Sequence, residues 1–341
     1  MQISTRYTLI ISAAIAVTTL AVFNNCGQVK FNSANNTANE QTTPPPTAQG
    51  NPSTPPPPVV CSPFGGSGTA AANQGLEAQN VYYVDQTQIP SGDSASTYIA
   101  NEIQNSVENL LNPAGITTSS GAPLILSTTV NIFLPDINYP DMYFTEGFVN
   151  AATGQALQDQ NGNTLTSYFG FRLRSQFVAG NWPAGDYQIA VLSDDGSILT
   201  MTGGASDGSD FAINDDGFHS MRMGCSTQTV HITSTSNIPL TFDYMQGPPV
   251  TIGMILLYRP VSIAGTAQDP LCGQGGGDDS YFFLDHNGST PLNPSVPQPP
   301  YQQLIGPFNS STGTGGWTPV EANHFMLPSN STNPCASSSS S

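Results

Sequence analysis

From Val130 onward the chain is a series of short apolar runs, among them V-N-I-F-L, M-Y-F-T-E-G-F-V, Y-F-G-F-R-L-R-S, Y-Q-I-A-V-L-S, S-I-L-T-M, F-H-S-M-R-M, T-V-H-I-T, P-L-T-F-D-Y and I-G-M-I-L-L-Y, with turn residues between them. Most of these runs alternate apolar and polar positions, and a period of two suits a strand with one buried face. About nine strands separated by Gly, Asn and Asp predict an all-β fold, a β-sandwich or barrel. One stretch departs from this pattern. Asp93 or Ser94 is placed to cap a helix in which Ile99, Ile103, Val107, Leu110 and Leu111 recur at helical spacing, and Asn112-Pro113 ends it. With 33 Gly and 29 Pro in 341 residues, a coiled coil or helical solenoid is excluded.

Residues 1–25 carry one cation, Arg6, followed by an uncharged apolar run from Thr8 to Phe23, the order of a secretory signal. The run is short for a membrane span, which takes about 20 apolar residues. It ends at F-N-N-C-G-Q, which resembles the lipobox of bacterial lipoproteins. The resemblance implies that Cys26 is the acylated first residue of the mature chain, anchored in a membrane, and Gly27 after it implies the outer membrane. The alternative is an ordinary signal cut earlier, with Cys26 kept as a thiol. If Cys26 carries lipid, Cys61, Cys225, Cys272 and Cys335 remain, an even number for two disulfides in an oxidising compartment, with three connectivities open. Residues 26–60 are polar and Pro-rich, a composition that cannot bury enough surface to offset ordering, and they read as an extended tether. With 6 Lys+Arg against 23 Asp+Glu the net charge is −17, which excludes a nucleic-acid binder.

The strings Y-F-G-F-R-L-R-S, P-A-G-D-Y-Q-I-A-V-L-S-D-D-G-S-I-L, N-D-D-G-F-H-S, P-L-T-F-D-Y and I-G-M-I-L-L-Y resemble the PA-fourteen domain. Within a folded part spanning 61–260, the resemblance covers about residues 130–260 and implies a β-sandwich, a fold found in toxins, glycosidases, adhesins and flocculins and often used as a carbohydrate-binding module. In sugar-binding members an Asp-Asp pair joined by a cis peptide holds Ca²⁺, which in turn binds the glycan; the matching pair here is Asp194 and Asp195. Two carboxylates at a strand end supply charge for a hard cation that takes six to eight oxygens. The family's Tyr-x-Asn string is matched by Tyr244-Met245-Gln246, so Gln246 stands at the ligand position. The alternative is that Asp194, Asp195 and Gly196 only shape a turn. Trp182, beside Pro183, is a candidate for stacking on a sugar face, or a loop anchor. Asp159-Gln160-Asn161-Gly162-Asn163 lacks the later ligands of an EF-hand loop and reads as an Asn-Gly hairpin turn.

Adjacent carboxylates diverge, whereas a glycosidase needs two facing each other across the bond, and no H-E-x-x-H string is present. The expectation is a non-enzymatic surface lipoprotein with a carbohydrate-binding, adhesin-type module using Ca²⁺; the alternative is a structural or protein-interaction module of the cell envelope. Residues 261–341, rich in Gly, Pro and Ser, are expected to form an irregular extension pinned by disulfides, with a disordered tail.

Overall fold

A computed structural model describes residues 56–64, 70–143, 156–249, 251–275 and 300–336. The signal segment, Cys26, nearly all of the tether, the end of the M-Y-F-T-E-G-F-V run and the terminal serines lie outside the described residues. Two sheets face each other, and every strand pair but one is antiparallel. The larger sheet has the order β1 (Val59–Cys61), β3 (Ile125–Leu134), β2 (Leu76–Val84), β5 (Phe169–Phe177), β11 (Ile238–Gln246), β7 (Ser197–Met201) and β8 (Phe211–Asp215), with β14 (Phe325–Met326) also on β5; β1 and β3 are the parallel pair. The smaller sheet runs β10 (Val230–Ile232), β6 (Gly185–Asp194), β12 (Thr251–Pro260) and β13 (Thr318–Pro319), with β4 (Asn138–Tyr143) on β12 and β9 (Arg222–Cys225) on β6. The expected all-β sandwich is the observed architecture.

Alternation decides what each face buries. On β5, Phe169, Phe171, Leu173 and Phe177 point into the space between the sheets; on β11, Leu240, Phe242 and Tyr244 meet them. Each such side chain, fully buried, contributes on the order of 1.5–3 kcal/mol. The opposite faces are also covered, so β6 and β12 are buried almost throughout and read as continuous apolar runs.

Outside the larger sheet lie α1 (Ala95–Ile103) and α2 (Val107–Leu111), which bury Ile99, Ile103, Val107, Leu110 and Leu111 against Met245, Tyr168, Val84 and Ile125. The one helix expected over this stretch is two, because Gln104 and Asn105 take left-handed φ values of 54° and 50° between them. The Val107 N–H is capped from a distant loop by Asp216 Oδ1 at 2.7 Å.

Outside the smaller sheet, Ala190, Leu192, Ile255 and Leu257 are covered by Tyr301, Leu304 and Trp317. The stretch after residue 260, expected to be irregular, thus supplies two strands and, through Val320 and Phe325, part of the central core. The disulfides are Cys61–Cys335 and Cys225–Cys272. Both join the extension to the sandwich, and they settle which of the three connectivities forms.

The expected runs miss β1, β2 and β8, of which β2 breaks the period of two while β8 keeps it. In β2, Leu76 and Ala78 point into the core and so do Val81 and Tyr83, a change of parity made by a bulge between Ala78 and Asn80. β1 is three residues at the end of the Pro-rich segment, and β8 lies among the Asp-rich turns of residues 207–217.

Candidate functional site

The C-terminal ends of β2, β6 and β11 and the first residues of β5, β7 and β12 gather at one end of the sandwich. There the turn Asp194-Asp195-Gly196 links β6 to β7, and the Asp194–Asp195 peptide is cis. Gly196 is required: a Cβ there would lie 2.8 Å from Gly217 N and O and 2.9 Å from Met245 Cε.

Both carboxylates are nearly enclosed, Asp194 at 4% and Asp195 at 5% exposure. Asp195 Oδ1 accepts the N–H of His219 at 2.9 Å and Oδ2 accepts the N–H of Gly247 at 2.6 Å. One side chain therefore ties the β6–β7 turn to the β8–β9 and β11–β12 loops. Gly247 permits this approach, since a Cβ would stand 2.9 Å from Asp195 Oδ2. Asp194 Oδ2 accepts from Thr251 Oγ1 at 2.5 Å, and the Asp194 carbonyl accepts from Tyr244 Oη at 2.5 Å.

Burial pushes the Asp195 carboxyl up to about 7 against the pull of its two N–H donors. Among the described residues no ion pair engages Asp195. Its neighbour in the next turn differs. Asp215 is raised mainly by burial, but it is held by Arg222 Nε at 2.6 Å and lies 3.9 Å from His219 Nε2. Asp215 and Asp216 have structural partners, Arg222 and the Val107 N–H.

Gln246 is brought to the Asp pair but is wholly buried. Its Oε1 lies 2.8 Å from Tyr244 Oη, and its Nε2 donates to the carbonyls of Pro248 and Thr251, both at 3.0 Å. The side chain is a strut for its own loop. Trp182 is far from a sugar-stacking position: at 3% exposure it packs in the core against Phe177, Tyr258 and His324, with ring centroids 4.9, 4.6 and 4.4 Å away. This corrects the stacking expectation in favour of an anchor, because a Trp ring gains most from full burial among other rings. The Asp159 turn is a closed hairpin, with Gln158 bridged to Thr164 and Asp159 Oδ1 accepting the N–H of Asn161 and Asn163, both at 2.8 Å.

The donor chemistry of the turn suits a hard cation in part. Two adjacent carboxylates supply charge and oxygen, and each Asp195 oxygen keeps a lone pair beyond its one N–H bond. No third Asp, Glu, His or Cys converges on them among the described residues, so the rest of a shell would come from carbonyl, water or ligand oxygens. Sequence reading had no means of finding His219, Gly247 and Thr251, because they lie 24, 52 and 57 positions from their partners.

Fold and site together define a two-sheet sandwich with an acidic turn enclosed at one end. The chain is similar to the crystal structure of the PA14 domain of the MpAFP antifreeze protein, at 15% identity and a TM-score of 0.31 over 67% of this chain and 98% of that one. It is also similar to the PA14 sugar-binding domain from an RTX adhesin, at 14% identity and TM-score 0.30 over 56% and 92%. A further similar structure is the Epithelial Adhesin 9 A domain from Candida glabrata in complex with Galb1-4GlcNAc, at 12% identity and TM-score 0.28 over 56% and 88%. No family model and no curated protein matches the sequence.

Proposed function

We propose that the chain is an exported carbohydrate-binding module of adhesin type, lipid-anchored through Cys26, which holds Ca²⁺ at Asp194 and Asp195. The observation that carries this reading is Asp195: a buried carboxylate beside a second one, at the loop end of a sandwich, engaged only by N–H groups among the described residues. A bound Ca²⁺ would offer open coordination positions to vicinal sugar hydroxyls.

A second reading has its own support. The Asp195 carboxylate already joins three loops, which is what a structural clamp does, and a module that only docks on an envelope partner needs no more. Thermal melts with and without Ca²⁺ separate the two. A ligand that binds the folded form alone adds about 2.7 kcal/mol at a hundred times its Kd, or roughly 5–10 °C for a domain of this size. Asp194→Asn and Asp195→Asn should abolish the shift, and Asp216→Asn, whose Oδ1 still accepts the Val107 N–H, should keep it. A parent protein with no shift favours the clamp. A glycan array with and without Ca²⁺ then tests the ligand.

The anchor is tested separately. Cys26→Ser should release the exported chain from membranes in detergent-free buffer; a variant still recovered with the membranes would overturn the lipid anchor.

A further inference from the structure

The end of the sandwich that carries the acidic turn also carries a cavity of about 300 Å³. It opens between the end of β2, the 3-10 turn Gln86–Gln88 and the hairpin of residues 158–164. That volume is at the lower end of small-molecule sites, the size of one or two sugar rings. Its polar wall is Tyr83, Asp85, Gln86, Asp159, Asn161 and Ser167, and its apolar wall includes Val84, Leu126 and Leu165.

Three backbone steps join the cavity to the Asp pair. The Val84 N–H donates to Tyr168 O at 2.9 Å, the Tyr168 N–H to Gly247 O at 3.0 Å, and the Gly247 N–H to Asp195 Oδ2 at 2.6 Å. Tyr168, the middle link, holds a left-handed φ of 52°, a conformation that is unfavourable for a non-glycine residue and persists only where its surroundings fix it.

The polar groups of the wall are held in place yet keep bonding capacity. Gln86 Nε2 donates to Ser167 Oγ at 3.1 Å, and Asp85 Oδ1 accepts from the Thr87 N–H at 3.0 Å and its hydroxyl at 2.6 Å. Tyr83 Oη accepts the Gln160 N–H at 3.2 Å. Among the described residues this leaves Gln86 Oε1 and Asp85 Oδ2 as acceptors and the hydroxyl protons of Tyr83 and Ser167 as donors. Burial, with smaller contributions from Asp159 and Asp85, raises the Tyr83 phenol, so it remains a donor at neutral pH. Among the described residues neither Lys nor Arg lines the cavity, and the carboxylates of Asp85 and Asp159 repel an anion. Fixed acceptors, two hydroxyl donors and an apolar wall for a C–H face match an uncharged polyol.

We propose that this cavity is a saccharide subsite for a neutral hexose-type sugar, one that works without a cation. The proposal rests on the carbohydrate-binding reading above and gives it a second set of residues, separate from Asp194 and Asp195. The test is methyl NMR on the full mature chain, titrated with the methyl glycosides of glucose, galactose, mannose and N-acetylglucosamine, and with glucuronic acid as the anionic comparison.

The expected result is that the methyl signals of Leu126 and Leu165 move with at least one neutral glycoside, equally in EDTA and in Ca²⁺, and not with glucuronic acid. Asn161→Ala, on an exposed turn whose backbone bonds it leaves intact, and Gln86→Ala should each weaken that binding about tenfold, with thermal melts showing that both remain folded. Sugar binding that disappears on chelation while the Leu126 and Leu165 signals stay still would overturn the subsite and leave the Ca²⁺ site standing. Equal response to glucuronic acid would overturn the neutral class. No response to any sugar, in either buffer, would overturn the subsite together with the reading it rests on.

Discussion

Arg259→Ala should lower the midpoint of thermal unfolding by roughly 10 °C. Arg259 is 1% exposed at the end of β12, on the outer face of the smaller sheet. Its Nη1 pairs with Asp269 at 2.9 Å, its Nε donates to Gln188 Oε1 at 2.8 Å, and its guanidinium carbon lies 4.5 Å from the Trp317 ring centroid. Trp317 Nε1 in turn donates to Asp269 Oδ2 at 3.0 Å. Truncating the arginine strands a buried carboxylate, a change that costs on the order of 3–5 kcal/mol. Lysine should rescue only part of the loss, since one ammonium cannot reach the planar set of acceptors that a guanidinium serves. The pair Arg259→Met with Asp269→Asn should be less destabilised than Arg259→Ala alone, because no unpaired charge remains. A single-variant loss below about 1 kcal/mol in urea denaturation would mean that the extension is held on the sandwich by other contacts.

Opening the Cys61–Cys335 disulfide has a comparable expected effect for a different reason. The bonded residues are 274 positions apart, against 47 for Cys225–Cys272. On the chain-entropy account, closing the longer loop stabilises by roughly 5–6 kcal/mol, about 1.5 kcal/mol more than the shorter one. The double substitutions Cys61→Ala/Cys335→Ala and Cys225→Ala/Cys272→Ala, compared by urea denaturation, should rank in that order. The reverse ranking would show that local packing of Cys225 and Cys272 with Leu271 against the outer sheet face outweighs loop closure. Thiol counting on the unfolded, unreduced parent should find none of these four cysteines free.

The two expected effects fall on one feature, the clamping of residues 261–275 and 300–336 onto the sandwich, and this is where the sequence is least informative. Composition marks that stretch as irregular, yet Trp317, Val320 and Phe325 complete cores whose members on β5, β6, β11 and β12 are more than fifty residues away. Arg259 in the string L-L-Y-R-P looks like a surface cation at the end of a strand. Its burial depends on Asp269 and Trp317 arriving from outside the local pattern.

The candidate site divides in the same way. Asp194, Asp195 and Gly196 are legible as a strand followed by an acidic turn, and Gln246 as the neighbour of a strand tyrosine. That Gln246 is spent on the carbonyls of Pro248 and Thr251, and that Trp182 lies in an aromatic cluster, depends on which loops meet in space.

By itself, the sequence determined the strands whose alternation is unbroken, the helical stretch and the acidic turn, because each is set by residues within one or two turns of chain, and the even cysteine set, which is a matter of composition alone. Only the tertiary structure decided the bulged β2, the disulfide connectivity, the capture of the extension around Arg259 and the cavity at the end that carries the acidic turn. Each of these joins groups distant in the chain, and the free energy that fixes them comes from burial and pairing that exist only once both sheets have formed.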